Sequence, residues 1–525
     1  MPRALRFGAV RVTLRILHEI PVGAGIPAHR EGECGMDGIA GCYRPGDPNL
    51  VQKIFLATGA VQHRGKASAG LAVGGTKGIY LHKGIGGIVD VGDEDILRIF
   101  QDLEPVAAIG SVGYTKNKIP EKRNAEPILV EPKASSTYTV VLAMNGRILE
   151  DDELRAELED AYTFNTVNAT EVVGALLHRC VEEEGASFAA GRKLVDILHG
   201  CGTFSLAALV HDGAETALLT LNDSRAFEPF CFGMVDGTFL ASSESCSHRR
   251  LGGFPEREYA GAEMTICSSR GVETQRVRTE TEMPDVFQAV YFGNAGSLYR
   301  GEEIFRLRMG LGHVLAKRYG DTDADVIIPN PESGRGVSHG IAEGLGKPLL
   351  PGLAKQSQAI RTFQEAGRSK RMREVAVKFA AMDSVLAGRR IIMGDDSIVK
   401  GSVSEGGAVW SVYNAGAVTL EFWVSYGPMF FPSFKEWRRG RECLDELAVQ
   451  RAFRGDNPYD KTPEGINAKV AALLGVDRVC YNTFEGVRAV IGPGSYQALD
   501  ASYPVAERFW PAWLKEEVEH FSHYR

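Results

Sequence analysis

Two adjacent carboxylates, Asp395 and Asp396, come directly after the apolar run 391–393. A turn of small residues, 397–404, follows them and leads into a predicted helix over 408–413. Such a turn can direct several backbone N–H groups at one phosphate, helped by the positive end of the helix. The two carboxylates suit ribose hydroxyls or a hydrated Mg²⁺ ion. The residues alone leave two interpretations open: a phosphate site, or an acidic turn that caps a helix.

The segment resembles the binding motif for phosphoribosyl pyrophosphate (PRPP) in type I phosphoribosyltransferases. In amidophosphoribosyltransferases this motif reads Asp-Asp-Ser-Ile-Val-Arg-Gly-Thr-Thr-Ser, and in this chain lysine replaces the arginine. The resemblance implies that one loop and one distant arginine bind PRPP. These residues are Asp395, Asp396, Ser397, Ile398, Val399, Lys400, Gly401, Ser402, Ser404 and Arg361.

A second segment, 325–334, resembles the pyrophosphate loop of the same family. By that resemblance, Ser333 joins Asp395 and Asp396 around Mg²⁺. Arg361 opens a basic stretch between the two segments. On charge alone, a solvated basic helix explains this stretch. In the family, the matching region closes over PRPP, where cations stabilise the leaving pyrophosphate.

Five motifs in the first half of the chain resemble the glutaminase domain of the same family, and they occur in family order. They lie at 34–41, 62–65, 124–125, 145–146 and 242–245. The resemblance makes Cys34 the nucleophile, with its own α-amine, of reference pKa near 8, as the base for the thiol. It also makes the side-chain amide of Asn145 and the backbone N–H of Gly146 an oxyanion hole.

This mechanism requires Cys34 to be the first residue of the working chain. Residues 1–33 are rich in arginine and carry no acid before Glu19. A transit peptide, a propeptide or a start codon assigned too far upstream would each explain this composition. Glu33 stands where some family members cleave a short propeptide. We therefore expect the working protein to begin at Cys34.

Two departures from the family pattern affect the recognition of glutamine. Gly113 stands where the family has the arginine that holds the glutamine carboxylate, and Ala169 where it has the aspartate that holds the α-amino group. Loss of each charged anchor costs roughly 2–5 kcal/mol. The segment 223–229 also follows the family pattern Asp-Pro-x-Gly-x-Arg-Pro only loosely. We therefore expect ammonium to support turnover better than glutamine does.

The composition excludes several other classes of protein. A formal net charge of −8 gives no sign of nucleic-acid binding. The nine cysteines include no Cys-x-x-Cys pair, which argues against a zinc site. Asp285 and Ser433 stand where some family members have cluster-binding cysteines, so we expect no iron–sulfur cluster. No run approaches the ~18 apolar residues of a membrane span. We expect a cytoplasmic protein, and the resemblance implies a homo-oligomer.

The elements that position these residues differ between the two halves. Short β-runs with Gly-rich turns fill residues 34–275, whereas apolar runs alternate with helical patterns from about residue 284. The second pattern implies a parallel sheet with its site at the carboxyl ends of the strands. We expect an α+β N-terminal-nucleophile hydrolase layered domain, followed by an α/β type I phosphoribosyltransferase domain. The expected boundaries are 1–33 for the leader, 34–278 for the amidotransferase domain, 279–461 for the phosphoribosyltransferase domain and 462–525 for a C-terminal helical extension.

These features predict an amidophosphoribosyltransferase-like enzyme. It would use PRPP, Mg²⁺ and nitrogen from glutamine or ammonia, and it would release pyrophosphate. Two alternatives remain: a PRPP-dependent transferase that uses a different amide or amine donor, and a non-catalytic PRPP-binding relic.

Overall fold

The structure, a computed structural model, describes residues 36–114, 121–355, 379–401 and 407–522. The leader 1–33 and four predicted site residues, Cys34, Arg361, Ser402 and Ser404, lie outside these ranges. The chain divides into two units, Met1–Pro284 and Asp285–Arg525. No helix in the described ranges combines the length and the apolar content that a membrane crossing requires.

The first unit is built on strands whose residues are mostly buried. They are β1 (Gly38–Tyr43), β2 (Ser68–Gly75), β3 (Gly78–Ile85), β4 (Ala107–Gly113), β5 (Ile128–Leu129), β6 (Glu131–Pro132), β7 (Thr139–Ile148), β8 (Tyr162–Thr163), β9 (Gly202–His211), β10 (Thr216–Asn222), β11 (Cys231–Val235), β12 (Thr238–Ser242), β13 (Arg257–Glu258), β14 (Glu263–Ser268) and β15 (Gly271–Arg276). Two large antiparallel sheets result, in the orders β13-β11-β12-β1-β4-β2-β3 and β15-β14-β10-β9-β7-β5, and β6 pairs with β8 in a third, two-stranded sheet.

The inner faces of these two sheets form one core. Ile39 and Ile109 of the first sheet are buried in the same cluster as Val141, Leu209 and Leu218 of the second. Because side chains alternate along a strand, the outer faces need separate cover. Helices supply that cover and make a four-layer arrangement.

The helices of the first unit are short, apart from three. They are α1 (Leu50–Ala60), α2 (Ile88–Val91), α3 (Glu94–Gln101), α4 (Asp151–Leu158), α5 (Ala169–Glu184), α6 (Phe188–Ile197) and α7 (Cys246–Arg250). Helix α1 packs on the outer face of the first sheet through Leu50, Ile54 and Ala57. Helices α5 and α6 contact strands β7 and β14 of the second sheet.

The second unit contains a four-stranded parallel sheet of order β18-β21-β22-β23 and two antiparallel pairs of strands, β16-β17 and β19-β20. Its strands are β16 (Leu298–Tyr299), β17 (Glu302–Glu303), β18 (Val326–Pro329), β19 (Leu353–Lys355), β20 (Phe379–Ala381), β21 (Arg390–Asp395), β22 (Thr419–Val424) and β23 (Arg478–Tyr481). Strands buried on both faces read as continuous apolar runs, which is why β18 and β21 are recognisable in the sequence.

Helices cover both faces of this sheet, and two separate apolar clusters lie on its two sides. The α-helices of the second unit are α8 (Ile304–Arg318), α9 (Arg335–Leu345), α10 (Asp383–Leu386), α11 (Val409–Asn414), α12 (Glu442–Asp445), α13 (Ala448–Ala452), α14 (Pro463–Leu474), α15 (Phe484–Ile491), α16 (Gln497–Asp500) and α17 (Ala512–Ser522). The predicted C-terminal helical extension from residue 462 contains helices, but it also supplies β23. That strand is only four residues long, too short for its periodicity to be read.

Candidate functional site

The predicted PRPP residues meet at the carboxyl edge of the parallel sheet. Pro329 of β18 pairs with Gly394 of β21, so the residues after the two strands emerge side by side. The side-chain amide nitrogen of Asn330 donates to Oδ2 of Asp395 at 2.6 Å. Oγ of Ser333 donates to Oδ1 of the same carboxylate at 2.8 Å. The fold therefore brings together two motifs that lie more than 60 residues apart in the chain.

The electrostatics of this edge suit a cation. Burial, together with the adjacent charge of Asp396, raises the pKa of Asp395 well above its usual range. Asn330 Oδ1 is buried and has no hydrogen-bond partner among the described residues. Two carboxylates, a free amide oxygen and the Ser333 hydroxyl are the hard oxygen ligands that Mg²⁺ takes. These residues fit the metal that the resemblance implies, although the described ranges contain no group of three or more Asp, Glu, His or Cys side chains placed to hold a metal ion.

The loop after these aspartates is fixed from behind by its backbone. The Val399 carbonyl accepts from the Ala448 N–H at 2.7 Å. The Lys400 carbonyl accepts from Nη1 of Arg451 at 2.5 Å, and Lys400 Nζ pairs with Glu446 at 2.7 Å. The segment 446–451 was not predicted as part of the site, because its contacts with the loop depend on the packing of α13 rather than on a motif.

In the first unit, two of the predicted motifs and the end of β4 converge on the residues that follow Cys34. Nε of Arg64 donates to the Asp37 carbonyl at 3.1 Å, and the Tyr114 N–H donates to Oδ1 of Asp37 at 3.2 Å. Oγ of Ser243 accepts from the Ile39 N–H at 3.0 Å. The chain that leaves Cys34 is thus held by residues from 62–65, from the end of β4 and from 242–245.

Glu244 links two of these motifs through an ion-pair cluster. Its Oε1 lies 2.8 Å from Nε2 of His63 and 2.8 Å from Nη1 of Arg64, and both Arg64 and Glu244 are buried. Burial opposes ionisation of this carboxyl, but His63 and Arg64 outweigh it and lower the pKa of Glu244 to about 2. The cluster is a structural anchor for strand β1, which follows Cys34 in the chain.

The position of the missing arginine, Gly113, is occupied by an acid. A Cβ on Gly113 would lie 2.9 Å from Oδ1 of Asp37. A carboxylate oxygen therefore lies against the point where a side chain at position 113 would begin. That glutamine is a poor donor stays a prediction.

Ala169, the second departure, is the first residue of α5. The side chains of its neighbours Asn168 and Thr170 both donate to Oε1 of Glu126, at 2.8 Å and 2.6 Å. Oε2 of Glu126 accepts from the Met144 N–H at 2.9 Å, directly before the oxyanion motif. Glu126 was not predicted. Its place beside the landmark 124–125 is the one signal in the sequence that could have identified it.

The predicted oxyanion residues lie on β7, and β7 contacts β1 in the core between the sheets. Gly146 has φ of 149°, and a Cβ there would overlap the carbonyl oxygen of Thr203. Nδ2 of Asn145 donates to Oε2 of Glu228 at 3.2 Å, and both side chains are fully buried. Whether Cys34 faces this pair stays a prediction, because Cys34 lies outside the described residues.

Comparisons with known proteins agree with this arrangement. The family model of a glutamine amidotransferase domain matches residues 120–247. An amidophosphoribosyltransferase of Synechococcus elongatus is 29% identical over 92% of this chain and 94% of its own length. One from Archaeoglobus fulgidus is 28% identical over 90% of this chain and 98% of its own. In structure, the chain is similar to the glutamine PRPP amidotransferase of B. subtilis, solved with ADP and GMP, with a TM-score of 0.75, 23% identity and coverage of 90% and 98%.

Fold and motifs together define the class: an α+β N-terminal-nucleophile amidotransferase domain followed by an α/β type I phosphoribosyltransferase domain with a parallel sheet, as the sequence predicted. Over about nine-tenths of its length, the chain is similar to amidophosphoribosyltransferases at 28–29% identity.

Proposed function

We propose that the protein is an amidophosphoribosyltransferase-type enzyme that makes a phosphoribosylamine from PRPP and glutamine- or ammonia-derived nitrogen. The nitrogen lone pair attacks C1 of the ribose, the bond from C1 to the pyrophosphate oxygen breaks, and the nitrogen loses a proton. The observation that carries the proposal is the buried pair Asp395–Asp396 held by Asn330 and Ser333 at the edge of the parallel sheet. The names of the relatives favour neither a different donor nor a non-catalytic relic.

In this proposal, Asp395, Asp396 and Ser333 hold Mg²⁺, with Asn330 beside them. The metal supplies positive charge that stabilises the leaving pyrophosphate. The other PRPP contacts come from the loop after the aspartates and from the basic stretch. They are Ser397, Ile398, Val399, Lys400, Gly401, Ser402, Ser404 and Arg361.

The amide-hydrolysing roles belong to the same proposal. The Cys34 thiol is the nucleophile, and Asn145 and Gly146 are the oxyanion donors. The amidotransferase domain is assigned to 34–278, the phosphoribosyltransferase domain to 279–461 and the C-terminal extension to 462–525. The structural division after Pro284 lies close to the proposed boundary between residues 278 and 279.

The decisive experiment measures pyrophosphate release from PRPP and Mg²⁺ with glutamine, with ammonium, and with neither. We expect ammonium to be the better nitrogen source, because Gly113 and Ala169 replace the glutamine anchors of the family pattern. Glutamine-dependent rates equal to the ammonium-dependent ones would show that other residues bind the amino acid. No release with either source would refute the proposed function.

A further inference from the structure

The proposed PRPP loop is attached to one short segment of the second unit, residues 446–451. The Val399 carbonyl accepts from the Ala448 N–H at 2.7 Å, and the Lys400 carbonyl accepts from Nη1 of Arg451 at 2.5 Å. Two consecutive carbonyls of the loop therefore bind to the same segment. That segment lies on one side of the loop.

Apolar packing holds the loop on the same side. Ile398 is buried in one cluster with Ala448 and Leu474. A Cβ on Gly401 would lie 3.0 Å from Cδ2 of Leu474. By contrast, the N–H groups of residues 397–401 donate no hydrogen bond to any described residue. The fold uses the carbonyls of this loop, and its N–H groups are the kind of donor that a phosphate binds.

Glu446 connects the side chain of the loop lysine to a second cation. Its Oε2 lies 2.7 Å from Nζ of Lys400, and its Oε1 accepts from Nη2 of Arg439 at 2.5 Å. Arg439 also lies 3.4 Å from Glu436, and both of these side chains are largely buried. Arg439, and after it Lys400, lower the pKa of Glu446 to about 2. The Glu446 carboxylate is therefore ionised at neutral pH and is already fixed when it meets the ammonium.

Lys400 stands where the family pattern has an arginine, and its ammonium could serve the loop in two ways. It could bind a phosphate directly, or it could attach the loop to its support. The contact with Glu446 favours the second role, because Glu446 belongs to the segment that also binds the carbonyls of the loop. A pair within a network of charges contributes more than an isolated exposed pair.

We propose that Glu446 is a positioning residue for PRPP. It holds the Lys400 ammonium at the segment 446–451 and so keeps the loop in the conformation that presents its N–H groups to a ligand phosphate. The inference rests on the proposed function of the Asp395–Asp396 site. It deepens that function, because it gives the Lys400 side chain a role and adds a residue that does not touch the ligand.

The test measures binding of PRPP with Mg²⁺ by calorimetry in a double-substitution cycle. Glu446→Gln keeps the size of the side chain and removes its charge, and Lys400→Met keeps the apolar stem and removes the ammonium. We expect each single variant to bind PRPP about 3- to 5-fold more weakly, the effect of losing a partly exposed ion pair. In the Lys400→Met background, Glu446→Gln should have no further effect, because the contact through which it acts is already lost.

Turnover supplies a second readout. With ammonium as the nitrogen source, Glu446→Gln should raise KM for PRPP by the same factor and change kcat less than about twofold, since the residue acts on binding and not on the reacting atoms. Glu446→Asp, which keeps the charge, should recover part of the affinity. The matched control is Glu442→Gln, at an exposed glutamate of helix α12, which should bind PRPP as the unaltered protein does.

The other outcomes would overturn the inference, each for its own reason. Tighter binding by Glu446→Gln would mean that Glu446 withholds the Lys400 ammonium from the ligand. An equal loss in both backgrounds would mean that Glu446 supports the fold without acting through Lys400, and no loss would mean that the contact does not position the loop. If the unaltered protein does not bind PRPP, the proposed function fails together with this inference. If it binds PRPP without releasing pyrophosphate, the binding cycle still decides the role of Glu446.

Discussion

Asp395 and Glu244 are both buried carboxylates, yet their neighbours move their pKa values in opposite directions. Burial and a second acid raise the pKa of Asp395, whereas His63 and Arg64 overcome burial and lower that of Glu244. The first arrangement is unfavourable for the protein alone and is relieved by a bound cation. The second is satisfied within the fold. This contrast in pKa distinguishes the proposed ligand site at Asp395 from the structural ion-pair cluster at Glu244.

The double substitution Asp395→Asn and Asp396→Asn should abolish Mg²⁺-dependent binding of PRPP. A loss of about 100-fold or more in affinity is expected, because each lost charged contact costs roughly 2–5 kcal/mol. The melting temperature should not fall, since a buried acid with a raised pKa destabilises the fold when it is ionised. Calorimetry and thermal unfolding check both parts. The control is Asp445→Asn, a substitution at an exposed aspartate. Unchanged PRPP affinity in the double variant would remove this pair from the site.

Glu244→Gln should destabilise the first unit in a pH-dependent way. The folded pKa, about 2, lies below the ordinary value of 4.5, so the ionised carboxylate stabilises the fold above about pH 4.5, and this contribution is lost as the pH falls towards 2. The free energy of unfolding of the variant should be about 3 kcal/mol lower than that of the unaltered protein at pH 7, and this difference should shrink steadily below pH 4.5. Urea unfolding at pH 7, 5 and 3 measures it.

The control for this prediction is Glu183→Gln, which removes an exposed ion pair with Lys193 and should have little effect at any of these pH values. A destabilisation by Glu244→Gln that is the same at all three pH values would mean that packing, and not charge, explains the role of Glu244.

At the scale of elements, the proposed PRPP site at the sheet edge depends on the close contact of α8 and α9. A Cβ on Gly340 would overlap the carbonyl oxygen of Met309, and one on Gly312 would overlap that of Val337. Small residues at these points let the two backbones approach. Helix α9 begins two residues after Ser333, so its position fixes the turn that donates to Asp395.

Gly340→Ala should therefore separate α8 from α9, lower the stability of the second unit by about 2–4 kcal/mol and weaken PRPP binding. Denaturant unfolding and calorimetry test this prediction. The control is Gly465→Ala, in the N-terminal turn of helix α14, where a Cβ meets only ordinary contacts. That variant should be neutral or slightly more stable. Equal behaviour of the two variants would contradict the role of the α8–α9 contact.

At the scale of the whole molecule, each unit has its own sheets and its own apolar cores. The proposed amide chemistry of the first unit has one requirement that the fold alone does not impose. The proposed nucleophile, Cys34, needs a free α-amine. With any residue attached before Cys34, that nitrogen is an amide and cannot accept the proton of the thiol.

We therefore predict that protein isolated from its native host begins at Cys34. Intact-mass measurement checks this directly. A Glu33→Ala variant should be processed less completely if Glu33 marks the junction, whereas Glu31→Ala should be processed normally. A mature chain that keeps residues 1–33 would count against Cys34 as a nucleophile and would favour a protein that depends on ammonia or only binds PRPP.

The sequence by itself determined the two-unit architecture and the place along the chain of the proposed PRPP loop. Parallel strands buried on both faces read as apolar runs, so the run before Asp395 locates the end of a strand, and the residues after it must lie at a sheet edge. The motif order along the first half likewise indicated the amidotransferase fold. These are local signals, and the chain carries them in consecutive residues.

Only the tertiary structure decided which side chains meet. Asn330 reaches Asp395 across 65 residues, Glu228 reaches Asn145 across 83, and Arg64 reaches Glu244 across 180. The filling of the space beside Gly113 by Asp37, and the addition of β23 to the parallel sheet, depend on the same long-range packing. Periodicity and spacing report which face of an element a residue occupies, but not which distant element packs against that face. The pairing of Lys400 with Glu446 therefore required the folded chain.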